Sequence, residues 1–234
     1  MNHMKKFLAI ALAAIFASSC IAFNSRLVRG NGEETVKEFE FPPITDISIS
    51  GSMDVAYTQG TQSVSLLTDG NLTDIYKVEY SDGVLSIEVK KGYSIMPKVK
   101  TVLKVCSEDL SSVKINGSGD FNMDKLVTHG DFLFAVNGSG GIESAGLVCR
   151  EFRARINGSG DIEVGDLTAE SITTGINGSG DILLNLRDAG DINAYIAGSG
   201  DITLAGSARS LSFKIAGSGD MHTAGLRLTG EDEQ

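Results

Sequence analysis

Tryptophan is absent from these 234 residues, and proline and cysteine occur only 3 times each. Without tryptophan the strongest sugar-stacking side chain is missing. Tyr57, Tyr76, Tyr80, Tyr93 and Tyr195 remain, and packing is the simpler role for them. Scarce proline, with glycine that does not recur every third residue, excludes a collagen-like chain. Basic residues are the minority, 20 against 30 acidic, for a net charge of −10. With no basic block among them, nucleic acid is excluded as a partner. The long hydrophobic run of a spanning helix is missing too: Phe7–Phe16 is too short for the roughly 20 residues that a membrane crossing needs. Chemistry-bearing clusters are equally sparse. His129 and His222 fall at different places in the repeat described below, so they predict no shared metal site. No Gly-x-Ser-x-Gly elbow and no phosphate loop occurs. Neither a cofactor nor a catalytic residue is expected.

What is present begins with an export signal. Lys5 and Lys6 precede the apolar run, which ends in Ala17-Ser-Ser-Cys20. Small residues followed directly by cysteine resemble the lipobox of bacterial lipoproteins. Residues 1–19 are therefore expected to be a lipoprotein signal peptide, and Cys20 the acylated anchor to a membrane. Cleavage would remove both lysines and take the net charge to −12. Residues 20–35, polar and glycine-bearing after Cys20, are expected to be a flexible tether.

The 28 glycines explain the rest. A motif of hydrophobic residue, Asn or Ala, then Gly-Ser-Gly-Asp recurs with its first glycines at Gly117, Gly138, Gly158, Gly178, Gly198 and Gly217. The spacings are 21, 20, 20, 20 and 19. A degenerate copy, Ile49-Ser-Gly-Ser-Met-Asp54, lies 66 residues earlier, so a long excursion separates it from the rest. Two, four and six residues before each glycine the side chain is mostly apolar, as in Ile172, Thr174 and Ile176. Four and six residues after it the same alternation returns, as in Ile182 and Leu184. Helical spacing is absent. Short strands joined by one recurring corner predict an all-β chain, a parallel β-helix with coils of about 20 residues.

The corners supply the candidate site residues. Asn116, Asn137, Asn157 and Asn177 would stack just before the corner. Asp120, Asp161, Asp181, Asp201 and Asp220 would stack just after it, with Gly141 in place of one acid. Each Asp is expected to accept backbone N–H bonds at its own corner. A bridging cation is the competing reading, but calcium wants six to eight oxygens and these corners offer few. Residues 36–107 are expected to hold irregular opening coils and a cap. Within them Asn71–Tyr76 is read as a helical turn and Gly92–Pro97 as a loop. Residues 108–228 hold the regular coils and 229–234 an acidic tail. Cys106 and Cys149, about two coils apart, are expected to be two buried free thiols, since two coils exceed the roughly 7 Å limit for a bridge.

The lipobox, the Gly-Ser-Met-Asp copy, the segment Val64–Val89 and the serial corners together resemble the family described as "putative auto-transporter adhesin, head GIN domain", over residues 36–228. That resemblance implies a right-handed β-helix in the cell envelope and brings no catalytic residues. The expected function is a non-catalytic lipoprotein of the outer membrane that presents a rod to a protein or glycan ligand. Ile21-Ala-Phe-Asn24 after the anchor carries no acidic surface-export tag, which keeps open a periplasm-facing scaffold or folding partner. A polysaccharide-active enzyme is the third reading, by fold analogy alone.

Overall fold

The computed structural model describes residues 25–230. The signal segment, Cys20 and most of the acidic tail lie outside the described residues. The chain opens with β1 (Arg26–Arg29), β2 (Glu34–Phe39), β3 (Asp46–Gly51) and β4 (Asp54–Gln59). The excursion follows: β5 (Ser63–Asp69), one 3-10 turn (Gly70–Leu72), β6 (Tyr76–Ser81), β7 (Val84–Val89), β8 (Tyr93–Met96) and β9 (Val102–Ser107). Then come β10 (Ser112–Gly117), β11 (Phe121–Val127), β12 (Phe132–Gly138) and β13 (Ile142–Gly158). The chain finishes with β14 (Ile162–Gly178), β15 (Ile182–Gly198), β16 (Ile202–Gly217) and β17 (Met221–Leu228). The result is a β-solenoid of about six turns with parallel stacking about 20 residues apart.

Register follows the motif. Gly51 pairs with Gly117, and Gly117 with Gly138, Gly158, Gly178, Gly198 and Gly217 in turn. The degenerate copy at Ile49–Asp54 is thus a true coil. Inside, like side chains form ladders: Ile49, Ile115, Val136, Ile156, Ile176 and Ile196 are each 0% exposed. Wide aromatic rungs fill the N-terminal half, with Phe134 edge-on to Phe132 at 4.8 Å and to Phe152 at 5.8 Å. In the coil formed by β14, the inward alternation slips where Gly165–Asp166, Glu170–Ser171 and Asn177–Ser179 face outward. Those three slips turn the chain around the core. The loss of one residue in the 19-residue coil is absorbed opposite Arg187 and Asp188, where the pairing with β16 shifts and Asp188 takes φ 46°.

The corners are where backbone packs on backbone. Their first glycines have φ between 139° and 153°, a region side chains resist. A Cβ there would sit 2.0–2.2 Å from the glycine carbonyl oxygen one coil below. The second glycines face a carbonyl oxygen at 1.9–2.1 Å, so close approach alone requires them. Both corner amides after the first glycine use the same acceptor: Ser159 N and Gly160 N donate to Gly138 O at 2.8 and 3.1 Å.

The opening segment departs from its reading in three places. Residues 25–35 are structured: β1 pairs in parallel with β8, Arg26 opposite Tyr93 and Arg29 opposite Met96. The loop read over Gly92–Pro97 is therefore mostly strand, because its partner lies some 67 residues away and leaves no local signal. The fully buried Asp69 clasps these pieces, its Oδ1 accepting Gly32 N at 2.6 Å and its Oδ2 accepting Lys98 N at 2.9 Å and Val99 N at 3.1 Å. Burial pushes its pKa up, but the amides of Val99, Gly32 and Lys98 more than reverse this and leave the carboxyl below its usual range. The helical turn shrinks to Gly70–Leu72, with Asp69 and not Asn71 at its N-cap position and no side-chain capping bond. Asn71 instead ties the N-terminal segment, accepting from Asn31 N and donating to Arg29 O.

The excursion also reorders the stack. β7 pairs with β3 and β9 with β4 on the face opposite β10 and β11, so the chain builds a coil beneath its own first one. β6 then lies antiparallel on β7, β5 antiparallel on β9, and β2 antiparallel on β5, as a cap. Cys106 consequently lies three strand spacings from Cys149, not two, roughly 14 Å apart at about 4.8 Å each. Both are free thiols; Cys149 is buried and Cys106, on the capped coil, only half-buried.

The glycine requirement predicts that Gly180→Ala lowers unfolding free energy by about 1–3 kcal/mol or more, as overpacking does. The exposed neighbour change Ser179→Ala should stay within about 0.5 kcal/mol. Urea titration of both variants checks this; equal midpoints would refute the packing account.

Candidate functional site

The side chains singled out by sequence do converge on one edge of the solenoid. Each corner asparagine donates from Nδ2 to Oδ1 of the one below: Asn137 to Asn116 at 3.0 Å, Asn157 to Asn137 at 2.9 Å and Asn177 to Asn157 at 3.1 Å. Ala197 and Ala216 continue the column without amides. The aspartates form a second column. Asp161 Oδ1 accepts Asp181 N, Asp181 Oδ1 accepts Asp201 N and Asp201 Oδ1 accepts Asp220 N, all at 2.8 Å. Asp120 Oδ1 accepts Gly141 N at 2.9 Å, and the column breaks there because Gly141 has no carboxylate.

This corrects the expectation that each carboxylate binds amides of its own corner. Those amides already donate to the glycine carbonyl one coil below, so the carboxylate finds the next coil's Asp N–H instead. Like charges about 4.8 Å apart repel by roughly 0.9 kcal/mol in water, and these amide bonds offset that. The Asp220 amide, assisted by His222 at 3.5 Å, holds the Asp201 carboxyl below its usual range against a small desolvation. Among the described residues no three His, Cys, Asp or Glu side chains gather as a metal centre would. With one oxygen of Asp120, Asp161, Asp181 and Asp201 each engaged by the next coil's amide, the column's chemistry is that of a stacking device.

A groove of about 800 Å³ lies at a different corner, and the corner motifs do not mark it. It runs across the coils from β11 to β17, about 24 Å at roughly 4.8 Å per strand. Its floor is small: Thr128, Cys149, Ala169 and Ala189 lie eleven residues after successive corner glycines, and Gly190 and Thr229 extend it. That column of small residues is a periodic signal present in the sequence. Around it stand His129 and charges of both signs, Arg150, Glu170, Asp188 and Arg209. Arg150 Nη2 lies 2.5 Å from Asp131 Oδ1. Arg209 grips Asp191 with Nε and Nη2 at 2.8 and 2.5 Å, and Ser210 Oγ adds a bond at 2.6 Å. The Arg209 guanidinium, then Ser210, hold the Asp191 carboxyl far below its usual range. Exposed pairs of this kind contribute little stability; here they set the direction of the donors along the rim.

The groove holds one thiol, and burial, with Asp131 nearby, pushes Cys149 up to about 12. Such a thiol stays protonated at neutral pH and is a poor nucleophile. The arrangement suits recognition of an extended chain laid along the axis, by hydrogen bonds to a polar rim over a narrow floor. In the native protein at pH 8, a thiol reagent should therefore label Cys106 and spare Cys149. After unfolding without reductant both should react; rapid native labelling of Cys149 would refute its burial. For the corner columns, Asp181→Ala should cost measurable stability but less than Gly180→Ala, and calcium against chelator should leave the melting temperature unmoved. A calcium-dependent rise abolished by Asp181→Ala would overturn that reading.

The family model described as "Putative auto-transporter adhesin, head GIN domain" matches residues 43–225. Among solved structures, one described as a putative adhesin from Bacteroides fragilis is 19% identical, with a TM-score of 0.71, covering 83% of this chain and 99% of that one. A structure described as a putative lipid binding protein from Parabacteroides distasonis is 23% identical, with a TM-score of 0.65, covering 84% and 99%. A putative adhesin from Parabacteroides merdae is 21% identical, with a TM-score of 0.56, covering 85% and 99%. These likenesses are of fold. No curated protein matches the chain.

Proposed function

Since this chain belongs to the family described as "putative auto-transporter adhesin, head GIN domain", we propose that it is an adhesin-like protein of the cell envelope. In this reading it is a non-catalytic rod, anchored through acyl chains on Cys20, that binds an extended protein or glycan chain in its axial groove. The observation that carries the reading is the groove itself: it crosses the coils from β11 to β17, with a floor of small residues and a rim of charges of both signs. A polymer has the shape to use such a surface; a small metabolite does not need its length. The non-catalytic part rests on Cys149, the groove's one thiol, which burial keeps protonated and so a poor nucleophile.

Two measurements test the proposal. Purified protein is used to capture partners from solubilised envelope proteins and from an array of envelope polysaccharides. A groove ligand should be lost in Thr168→Trp, which fills the channel, while the melting temperature holds. A partner retained equally by both proteins would move the binding site elsewhere. For the anchor, Cys20→Ala should shift the protein from the detergent phase to the soluble fraction. A mutant that stays in the detergent phase would refute lipidation at Cys20.

A further inference from the structure

The two sheet faces that meet at the glycine corner carry opposite charge. The face before the corner is formed by β10, β12 and the closing halves of β13, β14 and β15, paired in that order. Its outward positions stand one, three and five residues before each corner glycine, and from Ser112 to Ala197 none of them is a carboxylate. Lys114, Arg153 and Arg155 stand among them. Three, five and seven residues after the same glycines the pattern inverts: Asp120, Glu143, Asp161, Glu163, Asp181 and Asp201 face outward, with no Lys or Arg. In a chain of 20 basic and 30 acidic residues, one face is thus left to cations.

Register gathers these cations. Lys114 pairs with Ala135, and Ala135 with Arg155. The two cations therefore stand two strand spacings apart, about 9.6 Å, although 41 residues separate them in the chain. No basic block in the sequence marks them for that reason. Both are exposed, and neither makes an ion pair among the described residues. Arg153 is half-buried and held by Glu151 at 2.8 Å. Asp46 on β3 borders the face, where Ser112 and Thr45 hydroxyls donate to it. The column of Arg155 runs on through Gly175 to Tyr195, which is 39% exposed. A Cβ at Gly175 would meet nothing closer than 3.8 Å, so a shallow hollow separates the arginine from the tyrosine. Beside it runs the exposed asparagine column. Asn137 and Asn157 each give one N–H and one lone pair to their neighbours, and each amide has a second of both.

We propose that this face binds an acidic polysaccharide, a uronate polymer lying along the axis. Its carboxylates pair with Arg155 and Lys114, its hydroxyls with the remaining amide groups, and one sugar ring rests on Tyr195 over Gly175. The planar arginine fork suits a carboxylate. A peptide finds no free backbone here, because the parallel ladders on either side use the strand N–H and C=O groups. A lipid surface finds no side chain to insert, since Leu133 is the one aliphatic side chain larger than alanine among the outward positions and is half-buried. Nucleic acid, with its denser charge, calls for a denser basic patch. The protein's net charge of −10 repels such a polymer at long range. At physiological salt, however, the Debye length is about 8 Å, and the face in contact decides.

The purified protein is titrated at physiological salt with polygalacturonate, alginate and hyaluronate, and with fully methyl-esterified polygalacturonate as a neutral control. At least one of the three acidic polymers should bind, and the ester should not. Arg155→Glu should weaken that binding at least about ten-fold, the scale of one charge-assisted contact, and Arg155→Gln by less. Tyr195→Ala should weaken it several-fold while Tyr195→Phe stays near wild type. Both positions are exposed, so melting temperatures should hold. Binding to none of the three, equal binding of the ester, or indifference to Arg155→Glu would overturn the proposal. So would Arg155-dependent binding to phosphatidylglycerol vesicles or single-stranded DNA in place of the polymers. Thr168→Trp should bind the polymer like wild type, and Arg155→Glu should retain a groove ligand, so failure of this face and failure of the groove reading are told apart.

Discussion

Everything in this molecule depends on the direct stacking of one backbone corner on the next. Two glycines per corner bring each carbonyl to within 1.9–2.2 Å of where a Cβ would stand, and the amides beyond them complete the contact. A corner with side chains would hold successive coils apart, and the parallel strands on either side would lose their hydrogen bonds. The corner therefore sets the strand spacing, and the spacing imposes the ladders. Ile rests on Ile and Phe on Phe because position in the coil determines position in the core.

The same stacking governs the polar side chains. Asparagine amides chain from coil to coil, and aspartates reach forward to the next amide. These columns present the look of a repeated ion site, yet their hydrogen bonds run along the stack from one coil to the next. The groove arises from the opposite circumstance. At its floor the recurring residue is small, so a channel follows the axis where the other faces are filled, and arginines paired with aspartates line its rim.

A solenoid must also end. The N-terminal end is closed by chain that the repeat cannot describe: an excursion that doubles back beneath the first coil, antiparallel covering strands and the buried Asp69 clasp. The C-terminal coil keeps the repeat's apolar line, with no covering strand among the described residues, and leaves Phe213 and Ile215 in the open. This asymmetry gives the rod a direction.

By itself, the sequence determined the period, the corner, the inward-facing residues and the register of the regular coils, because each is local and repeated from Gly117 to Gly217. The column of small side chains eleven residues after four successive corner glycines was equally legible, though only the folded coils show that it forms a channel. Tertiary structure alone decided the opening segment. The pairing of Arg26–Arg29 with Tyr93–Met96, the placement of β7 and β9 beneath β3 and β4, and the three strand spacings between Cys106 and Cys149 join residues far apart in the chain. No periodicity encodes such contacts. The aspartate column shows the same division at smaller scale: spacing placed the carboxylates in line, but only the occupied amides of their own corners direct them to the next coil.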